Sequence, residues 1–390
     1  MSIFDSKHFN AEVFGKYLET VPRVKQNAFL QAGILRPRNE LKTMLADQTG
    51  GNYISVPMTG LIGGEAQNYD GNTDITADGI DTYLQSMIVI GRMKAWEEKD
   101  FTADITGKDF MAEIASQVAG YWDDIDQKTI IAILNGIFAM SGNDDFSNKH
   151  TLNVTETSGV VTETTLNNAI QQAAGANKNI FTLAIMHSQV ATNLENLQLL
   201  TYVKGTEANG IQRKMQLADW NGRTVLIDDE VPTETIEATY AKSTDTEVDS
   251  KKTYYTRSGS ASKYTYTPVA NPTGNPSTSD YYEKTSNGST TYTTYILGQG
   301  AFDYCNCGAK VPTETDRNAK TAGGIDTLIT RQRKLFAPRG ISFKQPNTPI
   351  ISPTDAQLET GSNWGLVKGT SANSWYNHKA IPIARIISNG

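Results

Sequence analysis

The adjacent residues His187 and Ser188 come nearest in this sequence to a nucleophile beside its general base. A hydrolase serine of the α/β type stands in a Gly-x-Ser-x-Gly turn, which exposes its hydroxyl above a sheet. No such turn surrounds Ser188, and an amphipathic pattern begins directly after it. A serine at a helix start accepts hydrogen bonds from free backbone N–H groups. We therefore interpret Ser188 as a helix cap, and the sequence predicts no catalytic residue.

Two acidic runs have the residue types of a cation site. Asp228-Asp229-Glu230 follows a predicted strand, and Asn143-Asp144-Asp145 lies in a polar loop. Neither run has the alternating acidic positions and the closing glutamate of a calcium loop. We interpret both as solvated. The glycine-rich stretch GLIGGE lacks the lysine and the spacing of a phosphate loop. The sequence therefore predicts no metal, no cofactor and no enzyme activity.

The two cysteines, Cys305 and Cys307, are separated by one residue. On a strand they face the same side, and they are too constrained to bridge each other easily. A metal site would need further ligands, but the four histidines are scattered along the sequence: His8, His150, His187 and His378. We interpret both cysteines as small buried hydrophobic residues in a reducing compartment.

The composition is typical of a soluble globular chain with two or three domains. Of the 390 residues, 38% are hydrophobic and 20% are charged, with a formal net charge of −7. This acidic balance argues against a dedicated duplex-DNA binder, which normally has a basic surface. The N-terminus is mixed and polar, and no stretch approaches about 18 consecutive apolar residues. The sequence therefore predicts neither a signal peptide nor a membrane span.

The longest periodic segment, residues 106–138, predicts one amphipathic helix. Thr106 with Asp109 is typical of a helix cap, and Gly142 is typical of a helix stop. At about 1.5 Å per residue, roughly thirty residues form a rod about 45 Å long. Steps of three and four residues place large apolar side chains on one face, with a second row near the C-terminal end: Phe110, Ile114, Val118, Tyr121, Trp122, Ile125, Ile133 and Ile137, then Ile130, Ile131, Leu134 and Phe138.

The segments before this helix predict an arm and a projecting loop. Residues 1–45 contain short amphipathic pieces and prolines, and they cannot enclose a core alone. The stretches NYISVPMTG and TYLQSMIVIGRMKAW have the β-branched and aromatic residues of strands. A long polar, glycine-rich segment joins them, which indicates either an extended loop or hairpin that projects from the body or an ordinary mobile surface loop.

The segments after the helix alternate between helix and strand patterns. Residues 166–173 predict a helix, NIFTLAIMHS a strand, QVATNLENLQLLTYV a helix with a Val190-Leu194-Leu197-Leu200 stripe, and GRTVLIDDEVP another strand. This alternation predicts a compact α/β or α+β domain.

Residues 240–295 differ in composition from the rest, because tyrosine and threonine replace aliphatic residues there. The stretches YYTRSGSASKYTYT and YYEKTSNGSTTYTTY share one pattern, and Asn287-Gly288 is a strong hairpin signal. We predict a small β insertion of two hairpins with a tyrosine core. Two interpretations stay open, a glycan-contacting surface module and an elaborated loop without ligand. We expect that deleting residues 250–293 leaves the rest folded.

The C-terminal region predicts a return to the host domain. YILGQGAFDYCNCGAKVP has an apolar strand pattern, and IPIARII predicts a last strand. Between them lies a basic segment, suited to nucleic acid or to carboxylates of a neighbouring subunit: Arg331, Arg333, Lys334, Arg339 and Lys344.

The order of these elements resembles that of the major capsid proteins of tailed phages, which have the Hong Kong 97-like fold. NIFTLAIMHSQVATNLENL is similar to the family's strand-then-helix segment, and WNGRTVLIDDEVP to its Gly-x-x-Val-x-x-x-Asp-x-x-Pro strand. YILGQGAF and RGISF are similar to the paired strands that follow. The resemblance excludes residues 240–295, although Tyr- and Thr-rich insertions occur in the family.

The resemblance implies an α+β fold with a long spine helix, an extended β loop, an axial α/β domain and a small all-β insertion. It divides the chain into an N-terminal arm (1–48), the extended loop (49–97), the spine helix and peripheral domain (98–160), the first axial part (161–239), the insertion (240–295), and the second axial part with return strands (296–390).

The resemblance also implies a function. The chain would assemble into pentamers and hexamers of an icosahedral head around double-stranded DNA, without sequence-specific DNA binding and without a membrane. Because the arm is short, we expect a separate scaffolding protein, together with a portal and possible decoration proteins. The expected location is the virion, with assembly in the host cytoplasm.

Two alternatives remain at this stage. An encapsulin compartment has the same fold, but it would retain a cargo-peptide groove and usually lacks a tyrosine-rich insertion. A surface adhesin or carbohydrate-binding protein would use residues 240–295, but no signal segment is expected.

Overall fold

A computed structural model of the chain describes residues 33–47, 52–60, 66–69, 74–75, 79–107, 110–141, 146–156, 159–206, 212–260, 263–278, 280–345, 349–369 and 374–390. Its helices are α1 (Glu40–Asp47), α2 (Asp100–Thr106), α3 (Phe110–Phe138), α4 (Phe146–Lys149), α5 (Thr165–Ala174), α6 (Ser188–Asn196) and α7 (Asp355–Glu359). Short 3₁₀ turns span Lys178–Ile180, Gly361–Asn363 and His378–Ala380.

The strands fall into four sheets. They are β1 (Leu35–Pro37), β2 (Tyr53–Thr59), β3 (Thr82–Lys99), β4 (Thr151–Asn153), β5 (Phe181–Met186), β6 (Leu200–Thr206), β7 (Gln212–Trp220), β8 (Arg223–Ile227), β9 (Thr233–Ile236), β10 (Thr239–Lys242), β11 (Tyr254–Ser260), β12 (Lys263–Pro268), β13 (Tyr281–Ser286), β14 (Ser289–Gly298), β15 (Phe302–Asn306), β16 (Thr313–Asn318), β17 (Ile325–Pro338), β18 (Ile341–Phe343), β19 (Trp364–Leu366) and β20 (Ile383–Ser388).

The peripheral sheet is built on two long antiparallel strands, β3 and β17. Its order is β1-β15-β17-β3-β2, and β16 pairs with the outer half of β17. Because side chains alternate across a strand, Ile88 and Ile90 of β3 face the long helix α3, whereas Met87 and Val89 face α1. This sheet carries both predicted strands of the projecting loop, which pair antiparallel as β2 and β3.

The axial sheet has the order β4-β20-β14-β5-β8-β7-β6, with β9 beside β14. Strands β5 and β8 run parallel, and β14 lies antiparallel between β5 and β20. On β5, Ala184 and Met186 pack in a core with α5 and α6, whereas Leu183 and Ile185 share a core with α3. The axial sheet is thus covered by helices on both faces.

Helix α3 is the element that both sheets share. The predicted one-sided stripe holds only in part, because its C-terminal half is buried all round: Ile130, Ile131, Ile133, Leu134, Ile137 and Phe138. The predicted helix start at Thr106 is wrong. Thr106 ends α2, where its hydroxyl donates to the carbonyl of Thr102 at 2.8 Å. Asp109 and Gly142 lie outside the described residues.

Three consecutive residues in the middle of α3 make polar contacts with both sheets. Asp126 forms a buried ion pair with Lys334 of β17. Gln127 donates to the buried carboxylate of Asp228, and Lys128 lies 2.9 Å from Glu230. Burial raises the pKa of Asp126, and Lys334 opposes that shift.

The prediction that the acidic run 228–230 is solvated is wrong for Asp228, whereas Asp229 and Glu230 are exposed to solvent. Asp228 is buried, Asp229 accepts from the backbone N–H of Ser188 at 3.1 Å, and Glu230 pairs with the long helix. The sequence shows three carboxylates leaving a strand, but only the fold places their partners opposite them. The other acidic run, 143–145, lies outside the described residues.

The cap of α6 is His187 rather than the predicted Ser188. The imidazole Nδ1 of His187 accepts from the backbone N–H of Gln189 at 3.1 Å. The helix ends at Asn196, so the predicted stripe is shortened. Val190 and Leu194 are buried, whereas Leu197 is exposed and Leu200 begins β6.

The Tyr- and Thr-rich segment forms a four-stranded antiparallel sheet with the order β10-β13-β11-β12. The first predicted hairpin, β11–β12, is present. The second, at Asn287-Gly288, is wrong, because β13 stays in this sheet while β14 enters the axial sheet beside β5 and β20. Burial of Tyr295, Ile296 and Leu297 in the axial cores outweighs the local turn preference.

A pair of histidines joins the start of β4 to the C-terminal region. His150 Nε2 lies 3.2 Å from His378 Nδ1, and His150 Nδ1 lies 2.6 Å from the carbonyl oxygen of Ile383. Since a carbonyl only accepts, His150 carries its proton on Nδ1 and accepts from His378 on Nε2. The ring stacks on Phe146 at 4.2 Å. Burial lowers the pKa of His150 to about 4. The sequence separates His150 and His378 widely and gives no local signal that they lie in contact.

Replacing Gly136 with alanine tests the close approach of α3 to α7. A Cβ at position 136 would lie 1.9 Å from the carbonyl oxygen of Leu358 and 2.5 Å from the indole nitrogen of Trp364. We expect Gly136→Ala to lower the free energy of unfolding by about 3 kcal/mol, since overpacking displaces backbone. Urea denaturation of the unassembled chain, followed by circular dichroism, measures this change.

Gly120→Ala is the matched control in the same helix. A Cβ there would meet no atom within 4 Å, so the substitution should stabilise the helix by up to about 1 kcal/mol through propensity alone. Equal effects of the two substitutions would contradict the packing described for α3.

Acidification should destabilise the fold through His150. The pKa of His150 is about 4 when folded and its ordinary value in an unfolded chain is 6.5, so the unfolded chain binds the proton first as pH falls. The stabilisation is complete above pH 6.5 and is lost progressively down to pH 4, by about 3 kcal/mol. Urea titrations between pH 4 and 8 of the parent and of His150→Gln measure the difference, with pH 7.5 as the reference. Parallel pH profiles for the two proteins would refute the assignment.

Candidate subunit-contact surfaces

The projecting loop has a fixed base. The phenol of Tyr83 packs edge-on against Tyr376 at 5.7 Å and lies 3.5 Å from the hydroxyl of Ser374. The same serine hydroxyl donates to Asp81 at 3.2 Å, and the N–H of Gly60 donates to the carbonyl of Asp81 at 2.8 Å. These contacts hold the end of the β2–β3 hairpin against the segment before the last strand.

Beyond this base, the loop presents large apolar side chains to solvent. Tyr69 is 95% exposed and Ile75 is 84% exposed, and Ile80 and Leu84 are each more than half exposed. Leu84 lies on β3 opposite Pro57 of β2, so its outward direction is fixed by the strand pairing. We call these four residues the loop patch. Such a concentration of exposed apolar side chains is typical of a surface that another protein covers.

A second apolar patch lies at the outer end of the peripheral sheet. Met93 on β3 is 79% exposed, and Phe101 on α2 is 65% exposed. Ile105 of α2 and Val311 before β16 are also exposed. We call these four residues the outer patch. Met93 lies on a strand and Phe101 and Ile105 lie on a helix, so regular elements present most of this patch.

An ion cluster fixes the outer patch to the sheet. Arg317 of β16 lies 2.6 Å from Asp100 and 2.7 Å from Asp326 of β17. The backbone N–H of Asp100 also donates to the carbonyl of Gly324 at 3.1 Å. These contacts hold the start of α2 against the β16–β17 hairpin. Both carboxylates raise the pKa of Arg317, chiefly through their hydrogen bonds.

The first described strand is held by a clamp of two arginines on one carboxylate. Arg36 lies 2.8 Å from Asp303 and Arg38 lies 3.1 Å from its other oxygen. Asp303 is buried, and β1 runs parallel to β15 at this point. The chain therefore enters the described fold at a defined position at the edge of the peripheral sheet.

The predicted basic segment does not form one patch. Arg331 pairs with Glu314 at 2.9 Å, Arg333 donates to the side chain of Asn52, and Lys334 points to the opposite face toward Asp126. Strand alternation separates these neighbours in sequence. The carboxylate partners of Arg331 and Lys334 lie within the same chain.

The prediction of two buried cysteines is confirmed for Cys305, whereas Cys307 is only partly buried. Cys305 is buried in a core with Leu41 and Ile54, and Cys307 packs against the same core as a free thiol. Burial raises the pKa of Cys307 to about 12, which keeps the thiol protonated at neutral pH.

The described residues contain no group of three or more His, Cys, Asp or Glu side chains placed to hold a metal ion. Within the same residues, no helix has the length and apolarity needed to cross a membrane. His8 lies outside the described part. The chemistry that the two patches support is association with other protein surfaces.

Comparison with known proteins agrees with this geometry. No family model matches the chain. The chain is 26% identical to the major capsid protein of Bacillus phage SPP1 over 357 residues, which cover 91% of each protein. Among solved structures, the capsid of Ralstonia phage GP4 has the same fold, with a TM-score of 0.51, 8% identity and coverage of 92% of this chain and 88% of that one.

The sequence match spans nearly the whole chain, and the shared fold contains the long helix between a peripheral and an axial sheet. Together they show that the chain is similar to the major capsid protein of a tailed phage and has an α+β, Hong Kong 97-like fold.

Proposed function

We propose that the chain assembles into pentamers and hexamers that close into an icosahedral head around double-stranded DNA. The observation that supports this proposal is the pair of exposed apolar patches, the loop patch and the outer patch. Eight large apolar side chains stay exposed there although the chain buries extensive cores elsewhere: Tyr69, Ile75, Ile80, Leu84, Met93, Phe101, Ile105 and Val311. Copies of the same chain would cover them in a closed shell.

The charge of the chain supports a container rather than a DNA-binding protein. A formal net charge of −7 gives a surface that repels a phosphate backbone overall. Within the basic segment, Arg331 pairs with Glu314 and Lys334 pairs with Asp126 of the same chain. Packaged DNA would therefore be enclosed without sequence-specific contacts.

The same proposal includes a separate scaffolding protein, a portal and decoration proteins as partners, on the resemblance described above. It places the chain in the virion head, with assembly in the host cytoplasm. We further propose the domain division given by the sequence, with one change. The insertion comprises Thr239–Ser286, because β14 pairs with both β5 and β20 of the axial sheet.

Assembly of the purified chain is the direct test. Negative-stain microscopy and sedimentation velocity should show closed shells, formed alone or with a scaffolding protein. Nucleic acid extracted from native particles should be double-stranded DNA, whereas an encapsulin would contain cargo protein. A stable monomer that forms no shell under either condition would overturn the proposal.

Substitution of Leu84 with aspartate tests the loop patch. Leu84 is 56% exposed in the single chain, so the subunit should keep its stability within about 0.5 kcal/mol. Burying an unpaired carboxylate between subunits is costly, so shell yield should fall at least tenfold. Sedimentation velocity measures the assembled fraction.

Thr82→Asp is the matched control, because Thr82 is an exposed polar residue two positions away on the same face of β3. We expect it to have a smaller effect on shell yield. If Leu84→Asp assembles as well as the parent, the loop patch does not contact a neighbour.

Deletion of residues 239–286, bridged by Gly-Ser, tests the domain division. The ends are close, because Thr239 lies opposite Ser286 in the sheet. The remaining chain should unfold cooperatively with nearly the parent stability. The deletion of residues 250–293 expected from the sequence should instead fail to fold, since it removes residues of β14 that pair with β20. The two unfolding curves distinguish these outcomes.

A further inference from the structure

The insertion sheet, Thr239–Ser286, curls until its outer strands meet. Strands β10 and β12 lie at opposite edges of the sheet order, yet the rings of Tyr240 and Tyr266 stack at 4.0 Å. Tyr240 also packs edge-on against Tyr255 at 5.0 Å, and Tyr266 packs edge-on against Tyr282 at 5.4 Å. Four tyrosine rings thus line one concave face of the sheet, which we call the tyrosine face.

The opposite face is closed by its own polar cluster. The hydroxyl of the fully buried Tyr254 donates to Asp245 at 2.7 Å, and Lys252 lies 2.8 Å from Asp245 and 3.0 Å from Glu283. These groups satisfy one another. The cluster stabilises the small sheet and leaves the tyrosine face as the one with unused binding groups.

Arg257 is the unused group on the tyrosine face. Its guanidinium carbon lies 4.3 Å from the ring centre of Tyr264 and 4.7 Å from that of Tyr282. Arg257 is exposed, and no hydrogen-bond or ion-pair partner for it occurs among the described residues. Two rings therefore hold a planar cation in place while its N–H donors remain available.

The neighbouring carboxylate compensates this cation only through space, without a hydrogen bond to it. Asp280 is the nearby carboxylate, and it is engaged by Lys242 at 2.7 Å. Beside Arg257, the ring of Tyr264 is 40% exposed and offers an apolar surface. The face therefore combines a fixed bidentate donor with an accessible aromatic ring.

We propose that the tyrosine face binds an acidic glycan, a polymer of pyranose rings that carry carboxylate groups. A guanidinium fork matches a carboxylate with two parallel hydrogen bonds. The C–H face of a pyranose ring packs on an aromatic ring such as Tyr264. A nucleic acid fits less well, because its affinity comes from many phosphate contacts along the backbone, whereas this face offers one fixed guanidinium beside one exposed ring. This function goes beyond shell formation and does not depend on it.

Saturation-transfer NMR on the unassembled full chain tests the proposal with three probes. They are tetragalacturonate as the acidic glycan, maltotetraose as the neutral glycan, and an eight-nucleotide oligothymidylate as the phosphate polymer. We expect tetragalacturonate to bind with a dissociation constant of about 1 mM or tighter, and binding should weaken as salt increases. Maltotetraose and the oligonucleotide should bind at least tenfold more weakly.

Variants assign the binding to this face. Arg257→Ala should weaken tetragalacturonate binding at least tenfold, and Arg257→Lys should weaken it about fivefold, since an ammonium lacks the planar fork. Tyr264→Ala should also weaken binding. Lys251→Ala is the matched control, because it removes one exposed cation from the same sheet region away from the tyrosines. Near-UV circular dichroism of the tyrosines checks that each variant keeps its fold.

The outcomes separate cleanly. Loss in Arg257→Ala with retention in Lys251→Ala supports the proposal. Equal binding by Arg257→Ala and the parent, equal binding of maltotetraose, stronger Arg257-dependent binding of the oligonucleotide, or no binding of any probe would each overturn it. Shell formation is measured in a separate experiment, so a negative result for glycan binding does not contradict shell formation, and the reverse also holds.

Discussion

Burial of the C-terminal half of α3 between two sheets is the constraint on which the rest of this fold depends. Each fully buried Ile or Leu contributes about 1.5–3 kcal/mol, and residues 130–138 of this helix are apolar except for Asn135. The helix can pack against both sheets because the backbone of neighbouring segments approaches it closely. Gly136 leaves room for the carbonyl of Leu358, and the backbone of Gly361 meets the end of the helix at Ala139. The peripheral and axial sheets are therefore held by one shared core.

Polar contacts then fix how the two sheets are arranged around that helix. Apolar packing is non-directional, whereas the hydrogen bonds and ion pairs of Asp126, Gln127 and Lys128 have defined partners on β17 and after β8. Removal of any one partner would leave a buried or half-buried polar group without compensation. The His150–His378 pair does the same at the junction with the last strand, and because burial favours the neutral form of His150 the contact is sensitive to acid.

The shared core explains why the projections can stay exposed. The base of the β2–β3 hairpin is held by Tyr83, and the start of α2 is held by the Arg317 cluster. The exposed apolar side chains beside these anchors are thus available for contact with other protein surfaces, as the proposed assembly requires. The insertion is stabilised differently, by stacked tyrosines and one polar cluster, which frees its outer face from any role in the host core.

Local pattern was sufficient for the parts of this protein whose structure depends on neighbours in sequence. The period of α3, the strands β2, β3, β5, β8 and β20, and the distinct composition of the insertion all follow from residues a few positions apart. The order of these elements was also sufficient for the fold family. Tertiary structure alone decided the rest. Asn287-Gly288 connects the insertion sheet to the axial sheet, and His187 rather than Ser188 caps α6. Asp228 is buried, and His150 contacts His378 across more than two hundred residues. Those outcomes depend on free energies of burial and on partners distant in sequence, and no local spacing encodes them.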